Sequence, residues 1–190
     1  MEGITEVRWH GRGGQGTVTA AKIFAETATS GGKYVQAFPE YGPERMGAPL
    51  RAYNRVSESP LYMHCQVINP DIVAVVDPAL VKTGNITEGT SDDTIFVINT
   101  PNTPAEIRKE LGLNGGKVFT IDATKISLDE LGRPIPNTPM LGALAKVSGL
   151  ISLDHLVDQL KANFGKKFSQ DIIDKNLKAI NRAYQEVTGE

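Results

Sequence analysis

Residues 9–16 read WHGRGGQG, with glycine at 11, 13, 14 and 16. What flanks this stretch decides the fold. Upstream, Ile4 to Trp9 alternates, with Ile4, Val7 and Trp9 as its apolar members, which is the period of a strand. Downstream, Thr17 to Thr29 carries Val18, Ala21, Ile23, Phe24 and Ala28 at helical spacing and stops at Gly31-Gly32. Tyr34 to Phe38 (YVQAF) reads as a second strand. The glycine turn therefore sits inside a strand–turn–helix–strand unit of a length suited to a βαβ crossover.

The pattern continues outward. Residues 39–49, PEYGPERMGAP, hold three prolines and two glycines without a period, which predicts a long loop. Leu50 to Val56 reads as a strand, with Leu61 to Val67 as an antiparallel partner beyond the turn at Ser57 to Pro60. Asp71 to Val76, Thr94 to Asn99 and Lys117 to Asp122 are continuous apolar runs, as in strands buried on both faces. Thr103 to Glu106 forms a capping box with proline at the first helical position, and Gly112 ends that helix. Ser127 to Glu130 has capping-box form, but Gly132 leaves room for only a turn or two. Thr138-Pro139 starts another helix, with Leu141, Leu144 and Val147 inward and Gly149 at its end. Leu153 to Phe164 is amphipathic and closed by Gly165. Ser169 caps the last helix, with Phe168 and Ile173 placed for a hydrophobic staple and Ile173, Leu177, Ile180 and Tyr184 facing inward. The expectation is one α/β domain over residues 1–190. It is three-layered and Rossmann-like, with a mainly parallel (mixed) sheet, helices on both faces and C-terminal helices 152–188 packed on it.

Composition narrows the function. A chain of 190 residues buries roughly 70% of its unfolded surface and needs no disulfide or metal to fold. A net charge of -2 gives no basic excess for nucleic acid, and 6% aromatic residues make a poor base-stacking surface. The single cysteine, Cys65, cannot form an internal disulfide or hold a four-cysteine cluster. The first residues carry early acids and no apolar run, unlike a signal peptide, and no stretch approaches ~18 consecutive apolar residues. The expected setting is the cytoplasm, with no nucleic-acid or membrane partner.

Gly11, Gly13 and Gly16 match G-x-G-x-x-G between a strand and a helix. Such a loop lets backbone N–H groups approach an anion at a helix start, and Arg12 adds positive charge at the rim beside Gly14 and Gln15. The same glycines also serve a sharp turn and close helix–strand packing, and both readings stand. A nicotinamide dinucleotide would need an acid at the end of the second strand. Glu40 is near that place but falls within the proline-rich stretch. No Gly-Lys-Ser/Thr follows, so the loop is not a P-loop. His10, His64 and His155 lack metal-ligand spacing. His64 and Cys65, as neighbours on a strand, would point to opposite faces. Asp77 and Asp122 end apolar strands, either as caps or as groups facing a crevice. The stiff loop holding Glu40, Tyr41, Glu44, Arg45 and Met46, with Arg51 beside it, reads as a preordered partner contact.

Three stretches, RWHGRGGQGTVTAAKIFAETA (8–28), GKYVQAFPEYGPERMGAPLRAYNRV (32–56) and HCQVINPDIVAVVDPALV (64–81), resemble the gamma subunits of the pyruvate:ferredoxin oxidoreductases, within the 2-oxoacid:ferredoxin oxidoreductase family. The resemblance covers essentially the whole chain and is tightest over residues 8–81. The pyruvate branch looks most similar, with the branched-chain 2-oxoacid branch close behind. It implies a complex that converts a 2-oxoacid and coenzyme A to acyl-CoA and CO2 and passes electrons to ferredoxin. Thiamine diphosphate, magnesium and iron–sulfur clusters are its cofactors. This chain has no Gly-Asp-Gly…Asn-Asn diphosphate signature and one cysteine. The resemblance therefore implies a subunit inactive alone, with the cofactors on alpha, beta and delta-type partners. It puts this domain on the coenzyme A side, where a coenzyme A phosphate and a partner-chain carboxylate are both compatible with Gly11–Gly16. An independent NAD(P)-dependent oxidoreductase and a free-standing CoA- or nucleotide-binding module are the competing readings.

Overall fold

The computed structural model describes residues 3–40, 47–63, 65–165 and 167–190. Their elements are β1 (Ile4–Arg12), α1 (Thr17–Ser30), β2 (Tyr34–Glu40), β3 (Pro49–Ser57), β4 (Ile72–Val75), α2 (Leu80–Thr83), β5 (Ile95–Asn99), α3 (Pro104–Leu111), β6 (Lys117–Ile121), α4 (Ala123–Leu131), α5 (Asn137–Ser148), α6 (Leu153–Phe164), α7 (Gln170–Glu186) and β7 (Thr188–Gly189). The sheet order is β2-β3-β1-β4-β5-β6-β7. Strands β1, β4, β5 and β6 run parallel, while β3 is antiparallel to both β1 and β2, and β7 to β6. The mixed α/β sheet expected from the sequence is present.

Its wiring departs from expectation in one half. The β1–α1–β2 crossover exists, but β3 inserts between β1 and β2, so β2 is an edge strand. The expected hairpin of Leu50–Val56 with Leu61–Val67 does not form. Both flanks of β3 are already paired, and the described residues of 61–67 are irregular chain. The proline-rich loop is also shorter than its composition suggested. Pro39 lies in β2 opposite Ala52, and Pro49 opens β3. Proline is tolerated there because β2 has a neighbour on one side only.

Helices α1, α5, α6 and α7 cover one face over Trp9, Phe24, Met140, Leu144, Leu156 and Ile180. Helices α2 and α3 cover the other face over Val73, Val75, Phe96, Ile98 and Val118. Trp9 and Phe24 meet edge-on at 6.0 Å. Asn54 accepts from the Trp9 indole at 2.7 Å and donates to the Ala21 carbonyl at 3.0 Å, tying β1, β3 and α1 together. In α5 the pattern of small residues has a reason: a Cβ on Gly142 would lie 2.3 Å from the Ile180 carbonyl oxygen of α7.

Helix ends follow local chemistry. Thr103 and Glu106 form the expected capping box, and Gly112, Gly132 and Gly149 end their helices in the left-handed conformation. Helix α4 is longer than Ser127 suggested. Asp122 caps it, accepting from Lys125 N at 2.8 Å, and Ser127 sits mid-helix with its hydroxyl donating to the Thr124 carbonyl. Asp122 is thus a cap and not a crevice group. Phe168 meets Phe164 edge-on at 5.1 Å and stays about half exposed.

Candidate functional site at the switch point

Helix α1 leaves β1 toward one face, while α2 and α3, which link β4, β5 and β6, lie on the other. The carboxyl ends of β1 and β4 therefore diverge, and in open α/β sheets such a switch point is the usual ligand crevice. Here it holds the glycine loop from β1 and Asp77 just beyond β4.

The loop is held by contacts within the chain. Gln15 accepts from Arg12 N at 2.9 Å and donates to the Asp77 carboxylate at 2.7 Å. Arg12 Nε lies 3.1 Å from the same carboxylate oxygen. The other Asp77 oxygen accepts from Ala79 N at 2.8 Å. Asp77 is only 7% exposed, so three donors compensate a nearly buried charge. On its outer side the loop continues the β1–β3 ladder. Gly13 N donates to the Ala48 carbonyl at 3.1 Å, Gly47 N to the Gly13 carbonyl at 3.3 Å, and the Arg12 guanidinium to the Gly47 carbonyl at 3.0 Å.

Each glycine has its own role. Gly14 has φ 95° with open space around it and is exposed, so backbone conformation alone selects glycine there. Gly16 has φ 77° and caps α1, and a Cβ there would meet the Asn137 amide at 2.5 Å. Gly11 permits close packing, since a Cβ would sit 1.9 Å from Thr17 Oγ1. That hydroxyl is buried without a hydrogen-bond partner among the described residues. The turn and packing roles inferred for the glycines are therefore visible. Gly14 is the exposed residue of the loop, while Gln15 N donates to the Arg12 carbonyl at 3.2 Å and Thr17, the first residue of α1, is buried.

The contact-loop residues are described only at its base. Tyr41, Glu44, Arg45 and Met46 lie outside the described residues, as does His64. Glu40 ends β2, facing Arg51 in the β2–β3 register, and accepts from the Tyr53 hydroxyl. Arg51 pairs with Glu88 at 2.8 Å. Gly47 and Ala48, at the described base of the contact loop, hydrogen-bond the glycine loop.

What the sequence did not reveal is a charged layer beneath it. The polar alternates of β1, Arg8 and His10, are buried, as is Arg55 of β3. Arg8 Nε donates to His10 Nε2 at 2.9 Å, and its terminal nitrogen donates to the Ile86 carbonyl. Burial, with Arg8 and Arg51 close by, pushes His10 down to about 3, so it is a neutral acceptor. Burial and the Glu40 hydrogen bond push Tyr53 up to about 12. Arg55 pairs with Glu6 at 2.6 Å and lies 5.5 Å from the centre of the Phe38 ring. Helix α1 covers the other face of β1–β3, and on this face charge pairing takes the place of apolar packing. Alternation alone could not tell a paired polar face from a solvated one.

The remaining candidates are structural. His155 N is capped by Ser152 in the first turn of α6, and its ring packs on Gly31. Cys65 is exposed, with an Arg55 nitrogen 3.6 Å from its sulfur. Among the described residues no group of three or more His, Cys, Asp or Glu could hold a metal. One exposed thiol cannot supply four thiolates, so an iron–sulfur cluster does not fit this chain. No helix among the described residues is long and apolar enough to cross a membrane.

Comparison with known proteins places the chain. Residues 6–186 match the family model of pyruvate ferredoxin/flavodoxin oxidoreductase. The pyruvate synthase subunit PorC of Thermotoga maritima is 49% identical over 182 residues, covering 96% of this chain and 94% of that one. The pyruvate/ketoisovalerate oxidoreductases common subunit gamma of Pyrococcus abyssi is 44% identical over 182 residues, covering 96% of each. The crystal structure of T. maritima PorC superposes with a TM-score of 0.88 at 45% identity, over 100% of this chain and 99% of that one. The 2-oxoglutarate:ferredoxin oxidoreductase of Magnetococcus marinus contains a region of the same fold (TM-score 0.81, 23% identity, 99% of this chain and 32% of that one). The chain belongs to the pyruvate ferredoxin/flavodoxin oxidoreductase family.

Proposed function

We propose that this chain is the gamma-type subunit of a cytoplasmic complex that oxidatively decarboxylates pyruvate with coenzyme A, giving acetyl-CoA and CO2 and reducing ferredoxin. Near-complete reciprocal coverage at 49% identity to a pyruvate synthase subunit carries this reading. Thiamine diphosphate, magnesium and the iron–sulfur clusters belong to alpha, beta and delta-type partners, in keeping with the single cysteine of this chain. Thiamine diphosphate, when bound in a partner, supplies the stabilised carbanion, and this chain's residues position and enclose.

Two segments carry the role proposed for this chain. Gly11–Gly16 lies on the coenzyme A side, where exposed Gly14 and the N-terminus of α1 suit an anion. Glu40, Tyr41, Glu44, Arg45 and Met46 form the partner contact, adjacent in the chain to Gly47 and Ala48, which hydrogen-bond the glycine loop. The alternative of an independent NAD(P) enzyme is poorly served. Glu40 is separated from β1 by β3 and already accepts from Tyr53, so it is not the acid beside the first strand that a ribose requires. The test is reconstitution with and without this chain. Coenzyme A- and pyruvate-dependent reduction of ferredoxin that requires the chain is the expected result. Full activity in its absence overturns the reading.

A further inference from the structure

A cavity of about 610 Å³ lies on the helical side of the molecule, between α1, the α4–α5 connection, the end of α6 and the start of α7. Its size is that of a small-molecule site, not of a packing defect. Apolar side chains line it, among them Ile23, Ile135, Phe164 and Ile172, with Phe168 alongside. Phe168 is about half exposed, supported edge-on by Phe164, which leaves an aromatic surface available to a planar group.

The polar lining has a sign. Lys22, Arg133, Lys167 and Lys175 all border the cavity, against the single carboxylate of Glu26. Glu26 is already held by Asn163 at 2.6 Å, by Gln159 at 3.2 Å and by Lys22 at 3.7 Å. Lys175 is paired with Asp171 at 2.6 Å. That leaves Arg133 and Lys167 with no carboxylate partner among the described residues. They stand at one cavity in a chain whose net charge is negative. Asn137 and Asn176, nearly buried, add side-chain amides to the lining. Two unneutralised cations, an aromatic surface and amides able to read a heterocycle edge together describe a phosphorylated, planar ligand.

We propose that this cavity binds a nucleoside phosphate, with the phosphate on Arg133 and Lys167 and the base against Phe168. None of the glycines of the glycine loop lines it. Helix α1, which follows Gly16, and Asn137, which packs on Gly16, connect the two. The experiment is calorimetric titration of the full chain with AMP, with adenosine and with inorganic phosphate. AMP is expected to bind more tightly than either fragment. Arg133→Ala and Lys167→Ala are expected to weaken AMP binding by about tenfold each, the usual loss for a charge-assisted contact. Phe168→Ala weakens AMP and adenosine while sparing phosphate, and Gly14→Ala changes neither. All four positions are exposed, so the variants fold. No AMP binding at millimolar concentration overturns the proposal, as does AMP binding that Arg133→Ala and Lys167→Ala leave unchanged. AMP binding lost in Gly14→Ala would assign the nucleotide to the glycine loop and also overturn it.

Discussion

Replacing Asp77 with Asn tests how the glycine loop is held. Asparagine keeps the shape and one carbonyl oxygen, so the bond from Ala79 N survives. The other terminal atom becomes an NH2 facing two donors, Gln15 Nε2 and Arg12 Nε. Gln15 cannot simply flip its amide, because its oxygen already accepts from Arg12 N. One charge-assisted contact to a guanidinium and one amide–carboxylate bond are therefore lost in a nearly buried place. A buried hydrogen bond to a charged group contributes about 1.5–3 kcal/mol. Arg12 is a third exposed, and water takes over part of its contact. The expected net loss is about 2 kcal/mol, read by urea denaturation of the full chain with the slope unchanged. The double variant Gln15→Ala/Asp77→Asn should lose less than the sum of its parts, since the two residues share one bond. A loss below about 0.5 kcal/mol, the level of an ordinary surface change, would refute the reasoning.

Other expectations follow from single contacts. Gly142→Ala should cost about 1–3 kcal/mol, because its Cβ meets the backbone of α7, which cannot rotate away; thermal unfolding checks it. Gly14→Ala should cost about 1 kcal/mol through its positive φ alone, and in the reconstituted complex should raise the Michaelis constant for coenzyme A while leaving that for pyruvate nearly unchanged. His10 binds its proton in the unfolded chain near 6.5 but in the folded chain only near 3. The unfolded state therefore holds more protons between those values. The contribution is full above about pH 6.5 and is lost as pH falls toward 3, by at most about 5 kcal/mol, and His10→Gln should flatten the curve of stability against pH in that window. Arg45→Glu should weaken assembly without changing the stability of the free chain, as judged by pull-down and melting temperature.

Much of the parallel half of the sheet was legible because its strands are continuous apolar runs bounded by caps and glycines. Ile72–Val75, Ile95–Asn99 and Lys117–Ile121 fall where the runs fall. The antiparallel half was harder. Local pattern gives strands but not partners, so β3 was paired with the wrong neighbour, and β2 was cut short at a proline that an edge strand accepts. The glycine loop was readable as a turn before a helix. Its tie to Asp77, more than sixty residues away, was not, because the sequence carries no distance between strand ends. The cationic cavity left no motif either, since its lining comes from five helices and the segments between them.

The central claim is that this chain works only as part of a larger oxidoreductase. Affinity purification of the tagged chain from its native cells tests it most directly, with mass spectrometry of the co-eluting proteins and assays for iron and thiamine diphosphate. The account predicts stoichiometric partner chains that carry both cofactors and pyruvate- and coenzyme A-dependent electron transfer in the eluate. A chain that elutes alone, without iron or thiamine diphosphate, would contradict it.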